Sequence, residues 1–139
     1  MAGLSPKLPI RRDSVDGYAL NKSYIEMTRQ NLKNLILTNP GERMMDPDFG
    51  VGLKRYLFEQ GGTRLYGKII AKVKSQVQIY MPFLNIDDMI FDDSEGTYST
   101  TEGFIPRNDP YNADLNTVQI RMVVTIKPLR RRTTLDMQL

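Results

Sequence analysis

Apolar residues recur with a helical period in the first half of the chain and alternate with polar residues in the second half. The first helical face consists of Ile25, Leu32, Leu35 and Ile36. Ser23, followed three residues later by Glu26, forms a capping box, which satisfies free N–H groups where a helix begins. Pro40 stops the pattern, because the residue before a proline avoids the helical region. Together these features predict a helix over residues 24–37.

A second, clearer helical pattern follows after a short helical segment over residues 53–59. Apolar side chains return every four residues at Leu65, Ile69, Val73 and Val77. Thr63 is a suitable cap and Pro82 a stop, so a helix is predicted from about residue 63 to residue 81. The polar residues expected on its other faces are Lys68, Lys72, Gln76 and Gln78.

The second half of the chain is typical of β-structure. Residues 84–92 form a predicted strand, and its two adjacent aspartates indicate partial exposure. Residues 117–127 alternate and predict a strand with one apolar face. That face consists of Val118, Ile120, Met122, Val124 and Ile126. The two strands predict a β-hairpin joined by a long polar loop, residues 93–116, and such loops in compact domains are usually functional.

The two ends of the chain lack a helical pattern. Residues 1–20 predict an extended arm that ends in a short strand at residues 17–20. Residues 128–139 alternate again, which predicts either a third strand or a C-terminal arm that pairs with another chain. With no repeat and no internal boundary, residues 1–139 are expected to form one domain. The predicted fold class is α+β, with an N-terminal arm, two main helices and a small sheet made of a hairpin and further edge strands.

Composition narrows the chemistry that this fold can support. The chain has 139 residues, a net charge of +3, no cysteine and no histidine. Disulfides, thiolate catalysis, cysteine zinc sites and reactions that need a histidine base are therefore excluded. No apolar run is long enough to cross a membrane, and the N-terminus lacks the apolar core of a signal peptide. We expect a protein made in the cytoplasm, with no membrane partner, no cofactor and no metal.

Candidate chemistry is concentrated between the helices, in the stretch LTNPGERMMDPDFGVG, residues 37–52. A glycosidase needs two carboxyl groups across a sugar cleft, so Glu42 with Asp46 or Asp48 could serve a peptidoglycan hydrolase. Aspartate also enters turns because it accepts local backbone hydrogen bonds, and the chain has no tryptophan to line a sugar cleft. The spacing of these carboxylates does not match a calcium-binding loop.

The same stretch is also typical of a rigid recognition loop. Pro40 and Pro47 fix backbone angles, while the glycines allow tight turns and close approach of the backbone. Phe49 is placed to hold the loop in the core, and Glu42 and Arg43 lie side by side as opposite charges. In the alternative interpretation the stretch merely connects two helices, and Glu42 and Arg43 pair with each other or with neighbours. The residues alone leave both interpretations open.

Basic residues provide a third interpretation, a nucleic-acid-binding accessory protein. The residues concerned are Arg11, Arg12, Lys68, Lys72, Lys74, Arg130, Arg131 and Arg132. Such clusters can bind phosphate backbones. No aromatic residues interleave with them, so base stacking has no platform. Nucleic acid is therefore not the expected partner.

The stretch between the helices resembles the hallmark motif of a known family, the small baseplate wedge proteins of contractile phage tails and of the type VI secretion baseplate. It reads Leu-Thr-x-Pro-Gly-Glu-Arg, then Met, Pro-Asp-Phe-Gly and Gly-Leu. The matching residues are Ile36, Leu37, Thr38, Pro40, Gly41, Glu42, Arg43, Met45, Pro47, Asp48, Phe49, Gly50, Gly52 and Leu53. The order of arm, helix, motif, helix and hairpin also matches, whereas the 93–116 connection and the C-terminal arm do not. The family has carried a lysozyme-like label.

The resemblance implies a structural, non-enzymatic role in the baseplate of a phage tail or another contractile machine. The Glu-Arg loop would dock on the helical bundle of two larger wedge proteins. The docking residues implied are Pro40, Gly41, Glu42, Arg43, Pro47, Phe49 and Gly50. The hairpin would resemble the sheath-joining domain, accept strands from tail sheath proteins and so start the first sheath ring. The alternating face of residues 117–127 is the expected platform for those strands, and hub or tube proteins are further candidate neighbours.

Overall fold

The computed structural model describes residues 3–59, 62–106 and 117–138. Within these ranges the chain contains two α-helices, one 3₁₀ helix (Leu53–Phe58) and three antiparallel β-sheets. Helices α1 (Tyr24–Leu37) and α2 (Thr63–Tyr80) share one hydrophobic core with the largest sheet. The α+β class predicted from the sequence is therefore confirmed.

Helix α1 begins and ends where the sequence predicts. The Ser23 hydroxyl accepts a hydrogen bond of 3.3 Å from the Ile25 N–H and so caps the first turn. At the other end, the Thr38 N–H and hydroxyl both donate to the Asn34 carbonyl, at 3.0 and 2.6 Å. The helix buries Thr28, Leu32, Leu35 and Ile36. Because each buried leucine or isoleucine stabilises the fold by about 1.5–3 kcal/mol, this face fixes α1 against the core.

Helix α2 matches the prediction in extent but differs from it at the cap and on one face. Gly62 occupies the cap position and Thr63 is already helical, so the predicted Thr63 cap is wrong. The buried apolar residues of α2 are Leu65, Tyr66, Ile69, Ile70, Val73 and Val77. Gln76, predicted on an outer face, is only 4% exposed. At 100° per residue, position 76 falls on the same side as Ile69 and Val73, so the polar character of Gln76 misled the prediction.

The largest sheet consists of β5 (Leu84–Asp92), β6 (Gly96–Ser99), β7 (Gly103–Pro106), β8 (Gln119–Ile126) and β9 (Arg131–Gln138). Its strands are antiparallel and lie in the order β7-β6-β5-β8-β9. Strands β5 and β8 confirm the two strands predicted from the sequence. Strand β8 alternates as predicted, with the side chains of Ile120, Met122, Val124 and Ile126 buried.

Strand β5 contains a bulge that changes which residues face the core. Leu84 and Ile86 face inward before it, and Met89 and Phe91 face inward after it. The pairing of β5 with β8 shifts register between Ile86 and Asp88, which leaves Asp87 as the extra residue. An extra residue reverses the alternation of a strand, so apolar residues on both parities of β5 reach the same core.

Two segments predicted as a loop and an arm are strands instead. Strands β6 and β7 occupy the first part of the predicted 93–116 loop, so that prediction is wrong as far as residue 106, and residues 107–116 lie outside the described part of the chain. Residues 128–138 do not form a free arm, because β9 pairs with β8 along its whole length, and residue 139 lies outside the described part of the chain. Of the two alternatives for this segment, the third strand is observed.

The N-terminal segment folds back on itself rather than extending as an arm, so that prediction is wrong. Strand β1 (Ser5–Pro6) pairs with β4 (Leu20–Asn21), and β2 (Arg12–Asp13) pairs with β3 (Gly17–Tyr18). The Gln30 amide on α1 fixes this ribbon, since it donates to the Pro6 carbonyl and accepts from the Leu8 N–H, both at 2.9 Å. The short strand expected at residues 17–20 corresponds to β3 and the start of β4, whereas strands as short as β1 and β2 leave little trace in the sequence pattern.

The loop after α1 returns to the end of the helix that it leaves. The Val51 N–H donates to the Leu35 carbonyl at 3.0 Å, and the Gly52 N–H donates to the Thr38 carbonyl at 2.9 Å. The last carbonyls of a helix have no partner within the helix itself. The returning chain supplies those partners, so the base of the loop and the end of α1 form one hydrogen-bonded unit.

The buried amide of Gln76 joins α2 to the same loop. Its oxygen accepts from the Gly50 N–H at 2.9 Å, and its nitrogen donates to the Asp48 carbonyl at 3.1 Å. Gly50 has a φ of +111°, and a Cβ there would lie 2.2 Å from the Thr38 carbonyl oxygen. Only glycine can therefore bring its N–H to Gln76 at this position.

The substitution Gln76→Leu should remove both hydrogen bonds while nearly keeping the size of the side chain. It leaves the Gly50 N–H and the Asp48 carbonyl without their partner, so we expect the free energy of unfolding to fall by about 2–4 kcal/mol. Gln78→Leu makes the same change at an exposed position of the same helix and should alter it by no more than about 0.5 kcal/mol. Urea denaturation followed by circular dichroism measures both variants, and equal stabilities would contradict this role of Gln76.

Candidate functional site

Residues 39–53, here called the docking loop, contain all seven docking residues expected from the sequence. The Gly41 N–H donates to the Pro47 carbonyl at 2.8 Å, which closes the outer part of the loop into a ring. Where the chain leaves this ring it turns again, and the Phe49 N–H donates to the Asp46 carbonyl at 3.2 Å. Hydrogen bonds and the two prolines thus hold the backbone in one shape before any partner arrives.

Glu42 stabilises the loop from within. One carboxylate oxygen accepts from the Asn39 N–H at 3.0 Å, and the other accepts from the Asn39 side-chain amide at 2.7 Å. The Glu42 N–H in turn donates to the Asn39 carbonyl at 3.1 Å. Both oxygens of Glu42 therefore support the turn around Pro40. Of the pairings considered from the sequence, Glu42 pairs with a neighbour, Asn39, and not with Arg43.

Arg43 lies over an aromatic ring instead of beside a carboxylate. Its guanidinium carbon is 3.6 Å from the centroid of the Phe49 ring. Phe49 is buried and meets Tyr80 of α2 edge to face, with the ring centroids 4.9 Å apart. Among the described residues no carboxylate forms an ion pair with Arg43. The ring fixes one face of the guanidinium and leaves its N–H donors available to a partner.

Tyr80 closes the contact between the loop and α2. Its hydroxyl donates to the Asp46 carboxylate at 3.0 Å. Burial, followed by the hydrogen bond and charge of Asp46, raises the pKa of Tyr80, so the phenol remains a donor at neutral pH. Asp46 is thus occupied in positioning the loop, as Glu42 is.

The arrangement of these carboxylates does not resemble a hydrolytic site. A groove of about 280 Å³ lies beside the loop and is lined by Asn31, Asn34, Leu35, Arg43, Phe49, Tyr80, Met81 and Phe83. No carboxyl group lines it, whereas glycoside hydrolysis needs two acids facing one cleft. In the described part of the chain there is also no cluster of three or more acidic side chains that could hold a metal ion.

Strand β8 does not offer the free edge that the predicted strand platform requires. Ile120, Met122, Val124 and Ile126 are buried in the core, and Val118 precedes β8 and is partly buried. Strand β8 lies between β5 and β9, so it has no free edge to which a further strand could be added. The outer strands of the described sheet are β7 and β9. The prediction did not identify β9 as an outer strand because it left open whether residues 128–139 pair with this chain or with another.

The basic residues lie on several different elements, and some are paired with acids. Lys68 on α2 lies 3.5 Å from Glu59, and Arg132 on β9 lies 3.3 Å from Asp87. Arg12 lies in the N-terminal ribbon. Partial neutralisation and this distribution weaken the case for a nucleic-acid surface. Among the helices that the structure describes, none is long and apolar enough to span a membrane.

Three residues that position the loop were not expected from the sequence: Asn39, Gln76 and Tyr80. Gln76 and Tyr80 occupy angles on the buried side of α2, so a strict helical projection would have placed them towards the core. Asn39 lies immediately before Pro40 and three residues before Glu42, the range in which side chains bond to nearby backbone. The sequence position of each residue therefore indicated its role, although its polar side chain suggested exposure to solvent.

Comparisons with known proteins agree with this geometry. Residues 22–103, more than half of the chain, match the family described as baseplate wedge protein gp25. No curated protein matches the chain. A crystal structure of a candidate tail lysozyme from Geobacter sulfurreducens has a TM-score of 0.63 and 20% identity, over 87% of this chain and 94% of that one. The cryo-EM structure of the anti-feeding prophage baseplate contains a chain with a TM-score of 0.64 and 21% identity, over 88% of this chain and 83% of that one.

At such identities the two solved structures establish a shared fold, and the family match establishes the relationship. The Pro-Gly-Glu-Arg motif that predicted the family lies inside the matched range. The prediction of the family is therefore confirmed. The chain belongs to the family of the baseplate wedge protein gp25.

Proposed function

We propose that this protein is a structural, non-enzymatic subunit in the baseplate of a phage tail or a tail-like contractile particle. Its docking loop binds the helical bundle formed by two larger wedge proteins, and the edge of its sheet receives strands from the first ring of tail sheath. Hub or tube proteins are candidate neighbours in the same baseplate. The observation that carries the proposal is the fixed position of Arg43 over Phe49, with no carboxylate partner among the described residues.

Glu42 and Arg43, the adjacent opposite charges of the loop, have different roles. Glu42 uses both oxygens on Asn39, so it holds the shape of the loop. Arg43 is held by Phe49 and keeps its planar fork of donors for a partner carboxylate, a geometry suited to two parallel hydrogen bonds. Because the loop is already ordered, little conformational entropy is lost on docking.

The sheet offers β9 as the better edge for strand addition. It has eight residues, whereas β7 has four. Leu135 and Met137 hold β9 on the core, and its outer side faces no other strand in the described part of the chain. An unpaired edge presents a row of N–H and C=O groups that can pair with a strand of another chain. Sheath attachment through β9 would need no side-chain pocket.

A cell-wall hydrolase is the rival function, favoured only by the description of the Geobacter relative as a candidate tail lysozyme. Glu42 and Asp46 are both engaged in holding the loop, and the adjoining groove contains no acid. The purified protein should therefore release no fragments from peptidoglycan. Release that disappears in Glu42→Gln would favour the hydrolase.

Substitutions at Arg43 test docking. Arg43→Ala should lower the free energy of unfolding by no more than about 1 kcal/mol, the usual size of an exposed cation–π contact. It should weaken binding to the two larger wedge proteins by about thirtyfold or more, because a partner carboxylate loses a charged, bidentate donor. Arg43→Lys should restore little, since an ammonium lacks the planar fork. Arg29→Ala, an exposed arginine of α1, is the matched control, and undiminished binding by Arg43→Ala would contradict the proposal.

Substitutions at Glu42 separate support of the loop from direct contact. Glutamine keeps an oxygen that can accept from Asn39, whereas alanine does not. If Glu42 supports the loop, Glu42→Gln should bind the wedge proteins several times more tightly than Glu42→Ala. Calorimetric titration of both variants measures the difference. Equal, severe losses would instead indicate that a partner reads the charge of Glu42 directly.

Proline substitutions at adjacent residues test the β9 edge. Successive N–H groups of a strand point to opposite sides, so one of Thr133 and Thr134 donates towards β8 and the other points outward. Of Thr133→Pro and Thr134→Pro, one should destabilise the sheet and the other should fold normally yet fail to support sheath growth. Electron microscopy of baseplates made with the folded variant should show particles without sheath, and normal sheaths would exclude β9 as the acceptor.

A further inference from the structure

Two adjacent methionines at the tip of the docking loop lie almost entirely in solvent. Met44 is 96% exposed and Met45 is 99% exposed. The other methionines with a defined core position are buried: Met81, Met89, Met122 and Met137. Single exposed apolar residues are common on protein surfaces. An adjacent pair at the tip of a closed, rigid loop is a different feature, because the loop holds both side chains away from the protein.

The fold does not need these two side chains. The backbone on either side of them is fixed by the Gly41–Pro47 hydrogen bond and by the contacts of Glu42 with Asn39. Met44 and Met45 pack on nothing, so their apolar surface contributes no stability to the free chain. Methionine is flexible and polarisable, and it adapts to irregular apolar gaps. These properties suit a side chain that is buried only when a partner binds.

We propose that Met44 and Met45 form an apolar plug that enters a groove on the larger wedge proteins, in a deepening of the docking function proposed above on which this inference rests. The groove is apolar because neither side chain carries a charge or a hydrogen-bond donor. A carboxylate borders the groove, because Arg43 lies next to the plug with its donors unused. Arg43 thus fixes orientation at the rim, and the methionines supply buried area at the centre.

The charges around the plug disfavour a lipid surface as its occupant. Around the methionine pair the loop carries three carboxylates, Glu42, Asp46 and Asp48, against one cation, Arg43, so its charge is negative on balance. Carboxylates in these positions are repelled by the anionic lipids of a membrane. A protein groove can place polar groups opposite such carboxylates.

Methionine oxidation measures the burial of the plug directly. In the free chain, dilute hydrogen peroxide should convert Met44 and Met45 to sulfoxides well before Met89 or Met122, because oxidation follows exposure. In the complex with the two larger wedge proteins, the rates at Met44 and Met45 should fall at least about tenfold. The partly exposed Met27 of α1 reports general access of the reagent. Unchanged rates at Met44 and Met45 in the assembled complex would overturn the proposal.

A pair of double variants tests the energetic contribution of the plug. The double substitution M44Q with M45Q should leave the thermal unfolding of the free chain unchanged and weaken wedge binding by about a hundredfold, roughly tenfold for each methionine that is no longer buried as an apolar group. The double substitution M44L with M45L keeps the apolar surface and should stay within about threefold of the natural chain. If the M44Q/M45Q double variant, here called the Gln pair, binds the wedge proteins as tightly as the natural chain does, the proposed plug is wrong.

The same assay separates this proposal from the docking function itself. Weak binding by Arg43→Ala together with normal binding by the Gln pair would retain the docking loop and overturn the plug alone. Normal binding by Arg43→Ala and by the Gln pair would overturn the docking function and the plug together. Sedimentation of the free chain provides the last check: we expect a monomer. Self-association that disappears in the Gln pair would assign the plug to a second copy of this chain and would also overturn the proposal.

Discussion

The hydrogen bonds of one buried amide are the constraint on which the rest of the docking loop depends. Gln76 lies on the core side of α2 and binds the Gly50 N–H and the Asp48 carbonyl. Gly50 can occupy that position only because it has no side chain. The end of α1 binds the next two residues of the returning chain. Both helices therefore determine where the loop lies, and the hydrophobic core that packs the helices also fixes the position of the loop.

With its base fixed in this way, the loop uses some residues to hold its shape and leaves others exposed. Glu42 bonds to Asn39 and Tyr80 bonds to Asp46, and these contacts support the ring that the Gly41–Pro47 hydrogen bond closes. Arg43 lies over Phe49 with no carboxylate partner among the described residues, and Met44 and Met45 extend into solvent. A rigid frame with an unsatisfied cation and exposed apolar groups is what a protein interface requires. Two of the three acids that suggested an enzyme, Glu42 and Asp46, are engaged in hydrogen bonds that hold the loop in shape.

The sequence predicted the elements that bury a continuous apolar face and missed those that lack one. The periodicity of α1 and α2 and the alternation of β8 were sufficient, because each element buries one continuous apolar face. Strands β6 and β7 are short and bury no such face, so the sequence did not reveal them even though they pair with each other over a short distance in sequence. In the N-terminal ribbon only the short strand at residues 17–20 was expected, and β3 and the start of β4 lie there. The motif identified the loop and its family. It could not assign separate tasks to Glu42 and Arg43, because both are charged residues of one turn and only Asn39 and Phe49 distinguish them.

We propose that the docking loop binds its partner through Arg43 while Glu42 stays bonded within the loop. A cryo-EM map of the native baseplate, at a resolution that defines side chains, would show both contacts. We expect residues 39–53 to be buried against another chain, with a carboxylate of that chain beside the Arg43 guanidinium and with Glu42 still bonded to Asn39. A map in which this loop faces solvent, or in which Glu42 has left Asn39 to contact the partner, would contradict this role of the loop.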